Sequence, residues 1–143
     1  EGRRSRYPNG PVFDAALRNL DAWVRTGTPP PHAEPIRVAD GRAVLDEYGN
    51  HLGGVRSPFV DVPVSTWFSN ATGPSFCRIA GYEVPFDRAR LDGIYPSADA
   101  YLAAVRQDIT RLTAGRFLVP EDTDWLLDDA RSVFQSRKGD LPR

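Results

Sequence analysis

The serine at position 75 is the first group to test for chemistry, because a serine hydrolase needs a nucleophile on a sharp turn, a histidine base and an orienting acid. It lies in the string G-P-S-F-C at residues 73–77. This string ends in cysteine where a nucleophile elbow has glycine, and the proline before the serine favours a loop. We interpret Ser75 as a loop serine.

The single cysteine and the two histidines also offer no assembled site. Cys77 lies between Phe76 and Arg78 in a short apolar run. A cysteine in such a run is usually buried and packs as a small hydrophobic residue, so we expect Cys77 to be buried. His32 and His51 follow turn residues, and we interpret both as surface-loop side chains. No spacing typical of a metal site links these three residues. The sequence therefore predicts no catalytic residue, no metal site and no cofactor.

A loop at residues 46–63 combines turn residues, aromatic residues and charges. Arg56 and Asp61 are close enough in sequence to form an ion pair that fixes an irregular loop. The segment can be explained as structural or as the lining of a substrate pocket, and the residues leave both explanations open.

Composition limits the classes of protein to consider. The chain has 143 residues and a formal net charge of −1, which argues against nucleic-acid binding. No apolar run approaches the roughly 18 residues of a membrane span. We expect a soluble protein and leave its compartment open between the bacterial cytoplasm and secretion. The chain contains no methionine, and we therefore expect Glu1 not to be the translational start.

Apolar spacing predicts helices at both ends of the chain. An amphipathic helix is predicted at residues 11–26, with its apolar residues at steps of three and four. A helical hairpin is predicted after Ser97, with Trp125 in the buried stripe of its second helix. Residues 1–10 are predicted to be a linker or loop, and residues 136–143 a flexible tail.

The middle of the chain is predicted to be rich in loops, with a few short strands. Asp40 and Gly41 favour a tight hairpin turn between two apolar triplets. Residues 60–68 favour extended structure, but Pro58 and Pro63 confine it to a sheet edge or to irregular chain. A short strand is also predicted at residues 76–82. Taken alone, the chain is predicted to be α+β.

Two strings carry a family resemblance. They are L-D-A-W-V-R-T-G-T-P-P-P at residues 20–31 and G-N-H-L-G-G-V-R-S-P-F-V-D-V-P at residues 49–63. Shorter strings at 85–87, 95–96 and 117–122 follow in the expected order. Over residues 9–135 the sequence resembles the C-terminal portion of a bacterial α/β-hydrolase-domain family.

The resemblance implies an α/β-hydrolase fold in which the serine, the acid and the histidine all precede this chain. The helix at 11–26 would be the last core helix, and residues 27–135 a C-terminal extension. The implied function is hydrolysis of a small-molecule ester or amide, with an N-terminal part of the same protein as the partner that supplies the catalytic groups. The alternative is a self-standing, non-enzymatic binding or scaffold domain.

If the hydrolase interpretation holds, the loop region is expected to fold over the substrate pocket. Tyr48, Trp67 and Phe68 are then the candidate substrate-facing residues, with Arg56 fixing the loop through Asp61. The competing interpretation is that these aromatic side chains pack into the core.

Overall fold

The computed structural model describes residues 3–139, apart from the side chains of Arg3 and Cys77. Within this range, helices and short antiparallel strands are mixed along the chain, as predicted for an α+β architecture. The elements are β1 (Arg3–Arg4), α1 (Gly10–Thr26), β2 (Val38–Ala39), β3 (Arg42–Ala43), α2 (Pro58–Asp61), β4 (Ser65–Phe68), β5 (Tyr82–Pro85), α3 (Arg88–Ile94), α4 (Ala98–Ala114) and α5 (Thr123–Lys138), with 3-10 helices at Ser75–Ile79 and Pro120–Asp122. Among the described helices, none is both long enough and apolar enough to cross a membrane.

A three-stranded antiparallel sheet has the order β1-β5-β4. In this order β4 is an edge strand. Its residues Thr66 and Phe68 pair with Val84 and Tyr82 of β5. The prolines around β4 predicted this edge position, since proline cannot donate to a strand ladder. Pro58 starts helix α2, which makes the extended segment shorter than predicted.

The second sheet is the hairpin of β2 and β3, in which Val38 pairs with Ala43. Asp40 and Gly41 both have positive φ, at 50° and 72°. A two-residue turn with both residues in this region matches the right-handed twist of the strands. The predicted hairpin is confirmed.

The strand predicted at residues 76–82 is wrong. Residues Ser75–Ile79 form a 3-10 helix, and the strand begins only at Tyr82. The cause is local: Ser75 has a φ of 51°, which turns the chain out of the extended region directly after Gly73 and Pro74.

The core lies around the helical hairpin of α4 and α5. The side chain of Ser97 accepts from the backbone N–H of Ala100 at 3.0 Å and caps α4, as predicted. Tyr101 stacks on Phe134 with ring centroids 4.4 Å apart, and Leu118 is buried under the connection. Trp125, predicted to be buried, is 49% exposed, and Leu127 is buried in the helix instead.

Both predicted terminal segments contain more structure than expected. Arg4 pairs with Tyr82 in the sheet, so the predicted linker at 1–10 is wrong for β1; residues 1 and 2 lie outside the described range. The tail predicted from residue 136 is helical as far as Lys138, whose ammonium pairs with Asp92. Residues 140–143 of that predicted tail lie outside the described range.

Helix α1 confirms the prediction at residues 11–26. The face of α1 that carries its small residues packs against the rest of the chain. Ala15 and Asn19 are buried, and the Asn19 amide donates to the carbonyl of Arg116 at 2.8 Å. Arg18 forms a two-pronged ion pair with Glu121 at 2.9 and 3.0 Å. The large apolar side chains are instead 52% to 78% exposed; they are Phe13, Leu17, Leu20, Trp23 and Val24.

Candidate functional site

An open cleft of about 630 Å³ lies between β1, the end of β4 and the loop at residues 50–56. Its volume falls within the range of about 300–1,000 Å³ that is common for small-molecule sites. Its lining residues are Arg4, Ser5, Tyr7, Asn9, Ile36, Asn50, His51, Gly53, Gly54, Val55, Arg56, Val60, Trp67, Phe68, Ser69, Ile79, Ala80 and Gly81. Three of the four residues predicted from the sequence, Arg56, Trp67 and Phe68, therefore lie together in its wall.

Arg56 holds the loop that forms one side of the cleft. Its guanidinium donates to both Asp46, at 2.6 Å, and Asp61, and also to the carbonyl oxygens of His51 and Val60. The predicted pair of Arg56 with Asp61 is present. A planar guanidinium with five donors can satisfy several oxygens at once, which an ammonium on a flexible stem does less well.

The carboxyl groups around Arg56 differ in their protonation equilibria. Burial alone would raise the pKa of Asp46, but hydrogen bonds from Arg56 and from the backbone N–H groups of Asn50 and Tyr48 bring that pKa below its ordinary value. Burial raises the pKa of Asp108, against the lowering effect of Arg111. Arg111 links Asp108 to the loop that Arg56 holds, because Arg111 also pairs with Asp61 at 2.6 Å.

The aromatic wall of the cleft is anchored in the core. The Trp67 indole N–H donates to the Phe59 carbonyl at 2.8 Å, and the Trp67 ring meets Tyr7 edge-on at 5.5 Å between centroids. The backbone N–H of Trp67 donates to the Asn50 side chain at 2.8 Å. Trp67 therefore packs against the core and also lines the cleft.

Phe68 and Tyr48 have different positions. The Phe68 ring stacks on Tyr82 across β4 and β5, with centroids 4.4 Å apart, and it remains partly exposed at the rim. Tyr48 is not among the lining residues; its ring packs against Phe86 at 6.0 Å and lies under the guanidinium of Arg90 at 5.9 Å. The structure thus brings Phe68, but not Tyr48, to the cleft.

Sequence reasoning missed Tyr7 and Arg4, which line the cleft from the segment predicted to be a linker. The Tyr7 hydroxyl is 2.7 Å from the Ser57 hydroxyl, and burial raises the pKa of Tyr7. Neither residue lies in a periodic pattern. Their position in the cleft depends on the pairing of β1 with β5, which are remote from each other in sequence. The ion pair of Arg6 with Glu83, which are 77 residues apart, joins the same two regions.

The candidate nucleophile and bases do not assemble. Ser75 is exposed on its 3-10 helix and does not line the cleft, whereas His51 does. No hydrogen bond joins Ser75 to a histidine within the described residues, and no group of three or more possible metal ligands occurs there. The side chain of Cys77 lies outside the described part, so its burial stays a prediction.

Comparison with known proteins gives one result. No curated protein and no solved structure matches the chain. The family model of the alpha/beta hydrolase domain, however, matches residues 1–128, which is most of the chain. The chain belongs to the alpha/beta hydrolase domain family.

Proposed function

We propose that this chain is the C-terminal part of a serine-type hydrolase of small-molecule esters or amides. In this proposal an N-terminal part of the same protein supplies the serine, the acid and the histidine. Helix α1 is the last core helix of the hydrolase domain, and residues 27–135 are an extension that shapes the substrate site. Family membership supports the reaction class, since hydrolases of this fold use such a triad.

The observation that carries the proposal is the orientation of α1. Successive residues of a helix are about 100° apart, which places Leu17, Leu20 and Val24 on the side opposite to Ala15. Ala15 is buried against this chain, whereas those three large side chains are exposed. A helix of a closed domain has the reverse arrangement, because burying each such side chain contributes about 1.5–3 kcal/mol. The exposed apolar face of α1, with Leu17, Leu20 and Val24, is the face expected of a helix that covers the sheet of a hydrolase domain.

A groove beside α1 extends this apolar surface. It has a volume of about 340 Å³ and runs between Val12 and Trp23 on the helix and Pro31 and Phe117 on the opposite wall. Exposed large apolar side chains that lie next to one another are a feature of interaction surfaces. A sheet packed on α1 would cover the face and the groove together.

Within this proposal the cleft contributes to the substrate site. Trp67 and Phe68 face the substrate, Arg56 holds the loop around it, and Tyr48 supports that loop from the side of Phe86. The support is their position: three of the four residues line one cleft that adjoins the loop held by Arg56. Loops placed around a rigid scaffold are where substrate sites are commonly built.

The test compares two substitutions of equally exposed apolar residues in the complete protein. Leu17 on α1 is 63% exposed in this chain, and Val38 on β2 is 65% exposed. Leu17→Glu is expected to abolish hydrolysis of activated esters or to reduce it more than tenfold, because the proposal would bury its charge against the sheet of the N-terminal part. Val38→Glu is expected to leave hydrolysis unchanged.

The chain by itself is expected to show no turnover above buffer. Turnover by the isolated chain that disappears in Ser75→Ala would contradict the proposed division of labour. A monodisperse chain that unfolds cooperatively and binds no hydrophobic dye would favour the alternative of a self-standing binding or scaffold domain.

A further inference from the structure

Within the part of the chain that the structure describes, basic side chains line the cleft and no carboxylate does. Arg4, Arg56 and His51 are among the described lining residues, and no aspartate or glutamate is. Arg56 is compensated by its ion pairs with Asp46 and Asp61. Arg4 is exposed, and within the described part of the chain no carboxylate pairs with it. Among the described residues, the cleft therefore presents one guanidinium, that of Arg4, without a carboxylate partner.

Part of the remaining wall is apolar. Trp67, Phe68, Ile79 and Ile36 line it, and Ile79 is among the exposed large hydrophobic side chains of the protein. The Trp67 ring is held at its edge by Tyr7, and the Phe68 ring is held flat against Tyr82. Rings held in this way offer a contact surface at low entropic cost, because they are already immobilised.

We propose that the cleft binds a molecule that carries a carboxylate next to an apolar body about the size of an aromatic ring. The carboxylate pairs with Arg4, and the apolar body lies against Trp67 and Phe68. In combination with the proposed function, on which this last step rests, the substrate is an ester or amide that carries a separate, free carboxylate.

Arginine suits this role because its planar fork matches the two oxygens of a carboxylate. Its short strand also fixes where it sits: the backbone of Arg4 pairs with Tyr82, the residue on which Phe68 stacks. The charged group and the aromatic wall are thus positioned by the same three-stranded sheet. A surface pair of this kind is weakened by salt, which gives the binding a second signature.

The test uses two probes that differ only in charge, 4-phenylbutyrate and its neutral amide, titrated into the full chain by calorimetry. The acid is expected to bind about fivefold more tightly than the amide at low salt, the size expected for one partly exposed charged pair. Arg4→Gln is expected to remove this preference, and Arg4→Lys to retain part of it. Phe68→Ala is expected to weaken both probes alike.

Arg42→Gln is the matched control, because Arg42 is an exposed arginine on a short strand that does not line the cleft. It is expected to keep the full preference for the acid. Equal binding of acid and amide by the unaltered chain, binding of neither, or an equal loss in Arg42→Gln would overturn the proposal. These outcomes concern binding alone, so they are separate from the proposed hydrolysis, which the complete protein tests with esters.

Discussion

Arg56 shows how one side chain can organise a loop that has little regular structure. Its hydrogen bonds reach Asp46, His51, Val60 and Asp61. The pair with Asp61 was predictable from a separation of five residues within a turn-rich segment. Asp46 was not, because its position follows from an Asx-type turn in which the Asp46 carboxylate also accepts the N–H groups of Tyr48 and Asn50.

Trp67 allows the packing and the binding roles to be separated at a single residue. Trp67→Ala is expected to lower the free energy of unfolding by about 2–4 kcal/mol, because the core loses a ring and the Phe59 carbonyl loses its donor. Trp67→Phe keeps a ring and is expected to cost about half as much. Urea unfolding measures both values. Trp125→Ala, at the 49% exposed indole of α5, is the control and is expected to stay within about 1 kcal/mol.

If Trp67→Ala leaves the free energy of unfolding unchanged, the indole does not support the core as described.

At the next scale, the loop at residues 50–56 packs against the segment at residues 34–37. The N–H of Gly54 donates to the Glu34 carbonyl at 2.6 Å, and the N–H of Arg37 to the Leu52 carbonyl at 2.9 Å. Gly53 and Gly54 both have positive φ, at 86° and 72°. The two glycines differ in space: a Cβ on Gly53 would be 2.0 Å from the Pro35 carbonyl oxygen, whereas on Gly54 it would be 3.4 Å from Ile36.

This difference predicts unequal effects for two identical substitutions. Gly53→Ala and Gly54→Ala each incur the cost of a positive φ, about 1–2 kcal/mol. Gly53→Ala is expected to cost at least about 1 kcal/mol more, since the backbone of Pro35 must move. Thermal unfolding of the two variants checks this, and Gly54→Ala serves as the matched control. Equal melting temperatures would show that the two segments are not in close contact.

The sequence predicted helices better than strands, for reasons visible in particular elements. Helix α4 carries its own local signals, a serine cap at Ser97 and an apolar period, and helical structure depends on neighbours three and four residues away. Strand β5 depends on partners from β1 and β4 that are remote in sequence, and the β-favouring residues at 76–79 were taken up by a 3-10 turn. The same limit applies to predicting the residues of the cleft. Arg56, Trp67 and Phe68 come from a recognisable string or its neighbourhood, whereas Arg4 and Tyr7 reach it only through sheet pairing.

At the scale of the whole molecule, the chain has a closed core and an open side. The core of α4, α5 and the sheet includes fully buried side chains such as Leu91, Leu112 and Phe134. Helix α1 is attached to it through Asn19, Arg18 and small residues, and turns its large apolar side chains outward. The chain therefore has a core able to support folding, together with a surface suited to covering by another part of a protein.

This division predicts that the apolar face of α1 governs the solution behaviour of the isolated chain while contributing little to its stability. The double variant Leu17→Gln, Val24→Gln removes apolar area from side chains that are 63% and 78% exposed, without adding charge. It is expected to reduce the binding of a hydrophobic dye and self-association by severalfold, because exposed apolar area drives both. Its free energy of unfolding is expected to change by no more than about 0.5 kcal/mol. Dye fluorescence, light scattering and urea unfolding measure the three quantities.

The matched control is Val38→Gln, Phe76→Gln, which alters side chains that are 65% and 78% exposed and belong neither to α1 nor to the described lining of its groove. If exposure alone determined association, both double variants would reduce it equally. A larger effect of the α1 variant instead identifies a continuous surface, since Leu17 and Val24 adjoin Leu20 and the groove at Trp23, whereas Val38 lies on a separate two-stranded hairpin. Loss of several kcal/mol of stability in the α1 variant would mean that these side chains are buried within the chain, and the face could then not receive the rest of a hydrolase domain.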